Sequence, residues 1–511
     1  MMITITLEFN HGFQWFEKNG IYVKGYVFDE NNNLYQNGQL TDYFLGCENE
    51  QDFKRKLEHA NGIFCVIIKR DDKAFIGVDR TRTFPIFYTE KENDFYISDN
   101  TYFFKNKLHL KQIDRLSQEE FLLTGYVTGE NTLLKNVYQL QAGQYATAGK
   151  GLNKDYYFTY AARNAVNKTY DTLEKELLHA FEDVFGRLIT SVDNRTIVIP
   201  LSGGYDSRLI AVMLKKLGYE NVICFTYGRY DSFEVEISTK VAEKLGYKHI
   251  NVEYHDNLFD GFVDDERYIR YSKFGANHTS VFLLQDYFAV KYIYDKELIP
   301  KDSVIVPGHT VFISGAHIPA GLKKKRMKSR IINEIMRRHY SLKKIIDAEK
   351  FRVKISQQLG EGFSYSCFEN WVLKERAAKF IVNADRTYEI FGYEHRIPLW
   401  DNALIEFFKY LDIKYKLNKK FYNNVLEKTI FSRYGVDFGE KNKGNELIQR
   451  IKMFIKPYVP KYIFDKYKTK KDINCFYPVS KRLLDSMTNP DGIDIWNDNS
   501  VVAYWYVESL Q

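Results

Sequence analysis

Short apolar runs broken by polar turns fill the first 155 residues. "GIFCVIIKR" (62–70) and "KAFIGVDR" (73–80) predict two strands paired around Asp71 and Asp72, and "FPIFYTEKENDFYISDN" (84–100) predicts a second hairpin. The period changes near residue 170. In "TYDTLEKELLHAFEDVFGRLITSV", Leu173, Leu177, Leu178, Phe181, Val184 and Phe185 recur at spacings of three and four, one face of a helix. Strand and helix patterns then alternate through "NVICFTY", "EVEISTKVAEKLG" and "HINVEY", which predicts a parallel α/β sheet. Beyond about 320 the chain reads as helical and more basic. No internal repeat and no low-complexity linker divides it, so the change of period sets the boundary, at 165/166.

One stretch mixes these patterns with chemistry. "IVIPLSGGYDSRLIAVML" (197–214) opens as a buried strand, breaks at Gly203 and Gly204, and resumes as an amphipathic helix. The glycines permit a tight turn and a close ligand approach. Asp206 and Ser207 fall at the helix N-terminus, where free N–H groups make an anion site. Ser202 and Ser207 add hydroxyls. This set suits a phosphate or pyrophosphate, with Asp206 placed to hold Mg²⁺. A plain strand-to-helix turn capped by Asp206 is the competing reading, and the full Ser-Gly-Gly-x-Asp-Ser string argues against it.

Composition narrows the class. The 511 residues are 45% hydrophobic and 27% charged, enough for two or three globular domains. A net charge of +7 is small for this length and does not by itself call for nucleic acid. Five cysteines lie scattered without metal-like or paired spacing, which fits a reducing compartment. The start "MMITITLEFNHG" has no basic segment followed by an apolar core, so no signal peptide is expected. No run reaches the roughly 18 apolar residues of a spanning helix. The expectation is a cytoplasmic protein.

"LSGGYDSRL" resembles the pyrophosphate loop of the asparagine synthetase and β-lactam synthetase family. "NGIFCVIIKRDDKAFIGVDRTRTFPIFY…ISDN" resembles its N-terminal glutamine-amidotransferase domain. "CFTYGRYDSFEVEISTKVAEKLGYKH" is similar to the segment whose strand reaches the nucleotide, which carries Thr226. "YEHRIPLWDNALIEFF" resembles the Glu-x-Arg-x-Pro-x-x-Asp signature. The resemblance implies an Ntn-hydrolase-like αββα sandwich over 1–165. A parallel-sheet ATP pyrophosphatase domain of the adenine nucleotide α-hydrolase type, with a helical C-terminal part, would follow over 166–511. It implies ATP and Mg²⁺ as cofactors, with a carboxylate adenylated, pyrophosphate released and an amide formed with ammonia or an amine. Ser202, Gly203, Gly204, Asp206, Ser207, Thr226 and Gly308 would bind the nucleotide, with Asp206 as metal ligand. By position Glu394 would prepare the amine, and Arg396 and Asp401 would form a supporting ion pair. Lys441 or Lys443 of "EKNKGN" would neutralise charge on the phosphate; Lys443 is taken as the catalytic one.

Two departures qualify the resemblance. The family's glutaminase uses a cysteine directly after the initiator methionine, where this sequence has Met2. The first domain is therefore expected to lack glutaminase activity. The family's second Mg²⁺-binding aspartate is also absent from "IVPGHTVFISGAHIP" (305–319), where Val311 and Phe312 stand nearby. His309 and His317 could line the site, and Glu234 or Glu236 could supply a second carboxylate. A tRNA-modifying pyrophosphatase and a nucleotide-binding scaffold without catalysis are the alternatives. The basic runs "LKKKRMKSRIINEIMRRHYSLKK" and "IKMFIKPYVPKYIFDKYKTKK" motivate the first and read more simply as solvated helix faces. No nucleic-acid partner is expected, and a homodimer is compatible with the chain.

Overall fold

The computed structural model describes residues 2–310, 318–322, 325, 327–438 and 472–510. Strands are numbered in chain order. The first region carries β1 (Ile3–Thr6), β2 (Phe16–Lys18), β3 (Ile21–Phe28), β4 (Leu34–Gln36), β5 (Asn61–Arg70), β6 (Lys73–Val78), β7 (Phe87–Lys91), β8 (Asp94–Ser98), β9 (Tyr138–Gln139), β10 (Gln144–Ala148) and β11 (Leu152–Tyr156). They build two sheets, one in the order β1-β8-β7-β9 and one in the order β11-β10-β6-β5-β3-β2 with β4 on β3. Both expected hairpins form. Arg70 pairs with Lys73 across Asp71 and Asp72. Lys91 pairs with Asp94 across Glu92 and Asn93, whose φ values of 55° and 66° give the twist that a two-residue hairpin needs.

The apolar middle of β5 is buried on both faces. The helix Glu50–His59 covers one of them, with the ring of Phe53 5.6 Å from that of Phe75. Gly77 lies directly under this helix, where a Cβ would stand 3.0 Å from both methyls of Leu57. The other face carries Lys24 and Cys65, paired across β3 and β5, and Lys24 donates to the carbonyl of Phe9 beyond β1 at 2.7 Å. On the far side of the four-stranded sheet, Phe104 of the helix Thr101–Asn106 packs with Phe87 of β7. The layers run helix, sheet, sheet, helix.

The helix Tyr170–Val192 opens the second region, with Leu173, Leu177, Phe181, Val184 and Phe185 buried as the periodicity predicts. β12 (Ile197–Pro200), β13 (Val222–Gly228), β14 (Lys248–Glu253), β15 (Val304–Ile305) and β16 (Glu394–His395) form one all-parallel sheet in the order β14-β13-β12-β15-β16. The chain winds outward from β12 to β14, then returns to lay β15 on the other side of β12. In open α/β sheets the crevice at such a reversal, at the carboxyl ends of the strands, is where ligands bind. The described remainder of the chain is predominantly helical.

The two regions meet on the segment 394–402. Arg187 grips Asp401 with two hydrogen bonds, at 2.9 Å from Nε and 2.8 Å from Nη2. Asn61 of β5 donates to the same carboxylate at 3.1 Å and accepts from the backbone N–H of Asn402 at 3.0 Å. The Arg396 guanidinium sits 4.5 Å from the ring centre of Tyr26 and 5.6 Å from that of Phe13. The expected Arg396–Asp401 pair is therefore corrected. Asp401 pairs with Arg187, whereas Arg396 pairs with Glu394 at 2.9 Å and hydrogen-bonds Ser191. Asp401 also caps the helix Asn402–Tyr410 by accepting from the Ala403 N–H. Asp401→Ala removes a cap and a two-pronged charged contact together, so it is expected to cost about 3 kcal/mol. Urea unfolding of the full chain checks this, and an unchanged midpoint would contradict it.

Candidate active site

The residues after β12 and β15 meet at the sheet reversal. Gly204 occupies the N-cap position of the helix Tyr205–Lys216, and no side chain caps that helix end. The helix dipole favours an anion there. Ser207 Oγ accepts from the Ser202 N–H at 3.1 Å and meets Ser202 Oγ at 3.1 Å, so the two hydroxyls close the loop like a clasp. Neither Gly203 nor Gly204 has positive φ. The turn itself does not demand glycine at either place; access of a ligand to the backbone is the reason that remains for Gly204. Gly308 is under a stricter steric limit. A Cβ there would lie 2.6 Å from the backbone nitrogen of Ser207, so this strand end can touch the helix N-terminus only as glycine.

The loop is pinned from behind by a buried arginine. Arg208 donates to the carbonyls of Gly203 at 2.9 Å, Val436 at 3.0 Å and Phe438 at 2.6 Å. Thr226 on β13 donates to the Leu201 carbonyl at 2.6 Å and meets His249 Nε2 at 3.0 Å. The result is a cavity of about 290 Å³ lined by Ser202, Gly204, Asp206, Ser207, Thr226 and Gly308 together with Glu234, Asp286, His309 and Tyr388. Six of the seven expected nucleotide-site residues line it. Gly203 is buried behind the loop, held by Arg208.

Charge is arranged around this cavity in a definite way. The Asp206 carboxylate accepts from Tyr422 at 2.8 Å and has Lys419 Nζ 3.6 Å away. Lys419 and Asn418 both take left-handed backbone conformations (φ 59° and 57°), a kink that turns this lysine towards the loop. Asp286 accepts from the hydroxyls of Tyr227, at 2.5 Å, and Tyr388. Burial, with Asp286 alongside, pushes both phenols well above their usual range. His309 Nδ1 lies 3.1 Å from the buried Asp385 carboxylate. Burial works against a charged imidazole, but Asp385 more than offsets it and raises the pKa of His309 above 6.5. The carbonyl of His309 accepts from Trp400 Nε1 at 2.6 Å, which anchors the residue to the "IPLW" turn.

Glu394 is elsewhere. It pairs across β16 and β15 with Val304, which pairs with Ile197 at the start of β12. The loop leaves the opposite end of that strand, so Glu394 sits at the amino edge of the sheet, about 13 Å of strand away. Arg195 binds it through two hydrogen bonds, at 2.8 and 3.1 Å, and Arg396 adds a third at 2.9 Å. Burial opposes its charge, yet Arg396 and Arg195 hold its carboxyl down at about 2. A carboxylate so fully engaged is a poor proton acceptor, and the role read for Glu394 as the amine's base is corrected on that ground. Lys443, Lys441, Val311, Phe312 and His317 lie outside the described residues. Among the described residues no group of three or more His, Cys, Asp or Glu side chains forms a ready-made metal site. The donor set is one that suits Mg²⁺ bound through a single carboxylate and a nucleotide's phosphates, a common mode for this ion.

Sequence reading missed Lys419, Asp286, Tyr388 and Asp385. The polar run "KLNKKF" reads as a solvated surface, and Asp385 meets His309 only through the fold.

Residues 45–159 match the glutamine amidotransferase domain family, and residues 196–270 match queuosine biosynthesis protein QueC. The microcin J25-processing protein McjC of Escherichia coli is 22% identical over 214 residues, 41% of this chain and 39% of that protein. The tRNA-specific 2-thiouridylase MnmA of Lactiplantibacillus plantarum is 32% identical over 90 residues, 15% of this chain and 24% of its own. The alignments thus span well under half the length of these relatives. Among solved structures, the NH3-dependent NAD synthetase of Campylobacter jejuni aligns at TM-score 0.19 and 17% identity, covering 28% of this chain and 58% of that one. The glutamine phosphoribosylpyrophosphate amidotransferase of B. subtilis aligns at TM-score 0.19 and 9% identity, covering 58% and 64%. No helix among the described residues is long and apolar enough to cross a membrane. The chain thus carries a stretch similar to glutamine amidotransferase domains followed by one similar to QueC, and over part of its length it is similar to McjC.

Proposed function

We propose that the protein is an ATP-dependent ligase that activates a carboxylate as its adenylate and joins it to ammonia or an amine, releasing pyrophosphate and AMP. The observation that carries this reading is the uncapped helix N-terminus at the sheet reversal, clasped by Ser202 and Ser207 and faced by His309. In the first step a carboxylate oxygen attacks the α-phosphorus of ATP and the bond to the β-phosphate oxygen breaks. The loop N–H groups and both serine hydroxyls bind the departing pyrophosphate, and Lys419 adds positive charge beside it. Mg²⁺, held by Asp206 and the phosphates, supplies charge neutralisation when bound.

In the second step the amine nitrogen attacks the acyl carbon and the bond to AMP breaks with its electron pair. The nitrogen must shed a proton. His309 is placed to take it: Asp385 faces Nδ1 and fixes the tautomer that leaves Nε2 as acceptor. No thiol competes for a nucleophilic role. All five cysteines are free, and four are buried; burial pushes Cys47 to about 11 and Cys65 well above 9. On this reading ammonia or a substrate amine is the nitrogen donor, and the similarity to a microcin-processing protein makes peptides one class of substrate to test.

Four outcomes are expected. Asp206→Ala is expected to abolish carboxylate-dependent exchange of labelled pyrophosphate into ATP while the circular dichroism spectrum is kept; exchange at the wild-type rate would remove Asp206 from the site. His309→Ala should slow amide formation about 10²–10⁴-fold and pyrophosphate exchange far less. Only neutral His309 accepts a proton, so amide formation should rise with pH through an apparent pKa above 6.5. Asp385→Asn removes the charge that raises it and should move that limb to lower pH, read from single-turnover pH profiles. An unmoved limb would assign the proton transfer to another group. Finally, glutamine incubated with protein, ATP and the carboxylate should yield no glutamate, and release in step with product would overturn the choice of nitrogen donor.

A further inference from the structure

A much larger cavity, about 1180 Å³, opens between the first region and the helices of residues 349–374, and it shares no lining residue with the nucleotide cavity. Its floor is braced by two buried carboxylates. Glu120 accepts from the backbone N–H of Thr128 at 2.9 Å, from its hydroxyl at 2.8 Å, and from Lys354 at 2.5 Å. Glu375 accepts from the Gly129 N–H at 2.9 Å and from Lys379 at 2.6 Å, and Lys379 in turn donates to the carbonyls of Val127 and Gly129. Gln358 bridges Thr128 and Trp371 at 3.0 Å each. A wall fixed by this many buried hydrogen bonds is a preorganised surface rather than a gap between loosely docked parts.

Most charges on the lining are already matched: Lys350 with Glu119, Lys354 with Glu120, Arg163 with Glu361, and Glu130 with Lys154. Lys374 differs. Its ammonium rests on the face of Tyr156, 3.4 Å from the ring centre, and the neighbouring Glu375 is committed to Lys379. Among the described residues no carboxylate stands within salt-bridge reach of it. Burial lowers its pKa to about 8 despite Glu375. Around it the lining offers planar amides, from Asn131, Gln141, Gln357 and Gln358, and the rings of Tyr156 and Tyr410.

We propose that this cleft is a second binding site, for an organic carboxylate rich in hydrogen-bonding groups, whose carboxylate pairs with Lys374 while the amides read the rest. An acidic sugar and a peptide C-terminus share that chemistry. The anion supplies the partner that Lys374 lacks, and the volume exceeds what a single carboxylate needs. Binding here does not depend on the reaction proposed for the nucleotide cavity, so the two stand or fall separately.

Calorimetry on the full chain tests it with two probes, tri-galacturonic acid and an acetylated tripeptide with a free C-terminal carboxylate. Trigalactose and the peptide amide are their uncharged controls. One acidic probe is expected to bind, at least tenfold tighter than its control, and which one binds identifies the source. Lys374→Met should weaken it at least tenfold, and Lys374→Arg should keep it within about threefold. Both variants should keep the wild-type circular dichroism spectrum and melting temperature, which separates loss of the site from loss of the fold. Binding of neither acidic probe, or equal binding by Lys374→Met, overturns the proposal.

Discussion

The structure turns on one helix N-terminus that has no side-chain cap. The N–H groups beginning the helix Tyr205–Lys216 have no side-chain cap, although Ser202 and Ser207 lie within reach of one another. Forgoing a side-chain cap gives up about 1 kcal/mol. The arrangement is offset by restraints placed around it: Arg208 on three carbonyls, Thr226 on a fourth, and Gly308 pressed against Ser207. These hold the loop in shape around the helix N-terminus.

The signature "EHRIPLWD" gains a different meaning from this geometry. Its residues work as tethers. Glu394 binds two arginines, Trp400 holds the His309 carbonyl, and Asp401 ties the second region to Arg187 and Asn61. His395 lies buried 3.8 Å from both Asp385 and Glu389, inside the same cluster that backs His309. The segment governs the site by fixing what stands around it.

What the sequence made legible and what it did not divide along a physical line. The strand, loop and helix around Ser202–Ser207 are local, and their hydrophobic period and turn residues lie together in the chain. The two hairpins of the first region are local in the same sense, and so is the buried stripe of Tyr170–Val192. His309 and Asp385 come together only because β15 ends beside a helical run that approaches from far along the chain. Lys419 depends on a left-handed kink that no periodicity announces. Glu394 misleads for the converse reason: a motif fixes its order in the chain, but strand register decides which edge of the sheet it occupies, and register is not a local property.

The joint between the two regions bears on how the protein could be divided. Arg396 lies between Ser191 of the helix Tyr170–Val192 and the rings of Tyr26 and Phe13, and Arg80 of the first region reaches Glu406 at 2.6 Å. The first region thus forms part of the wall behind the second region's sheet, whatever chemistry it has or lacks. A fragment starting near residue 166 would bare an arginine packed on aromatic faces and strip Asp401 of its Asn61 partner. Such a fragment would need a redesigned surface along 394–406 before it could stand alone.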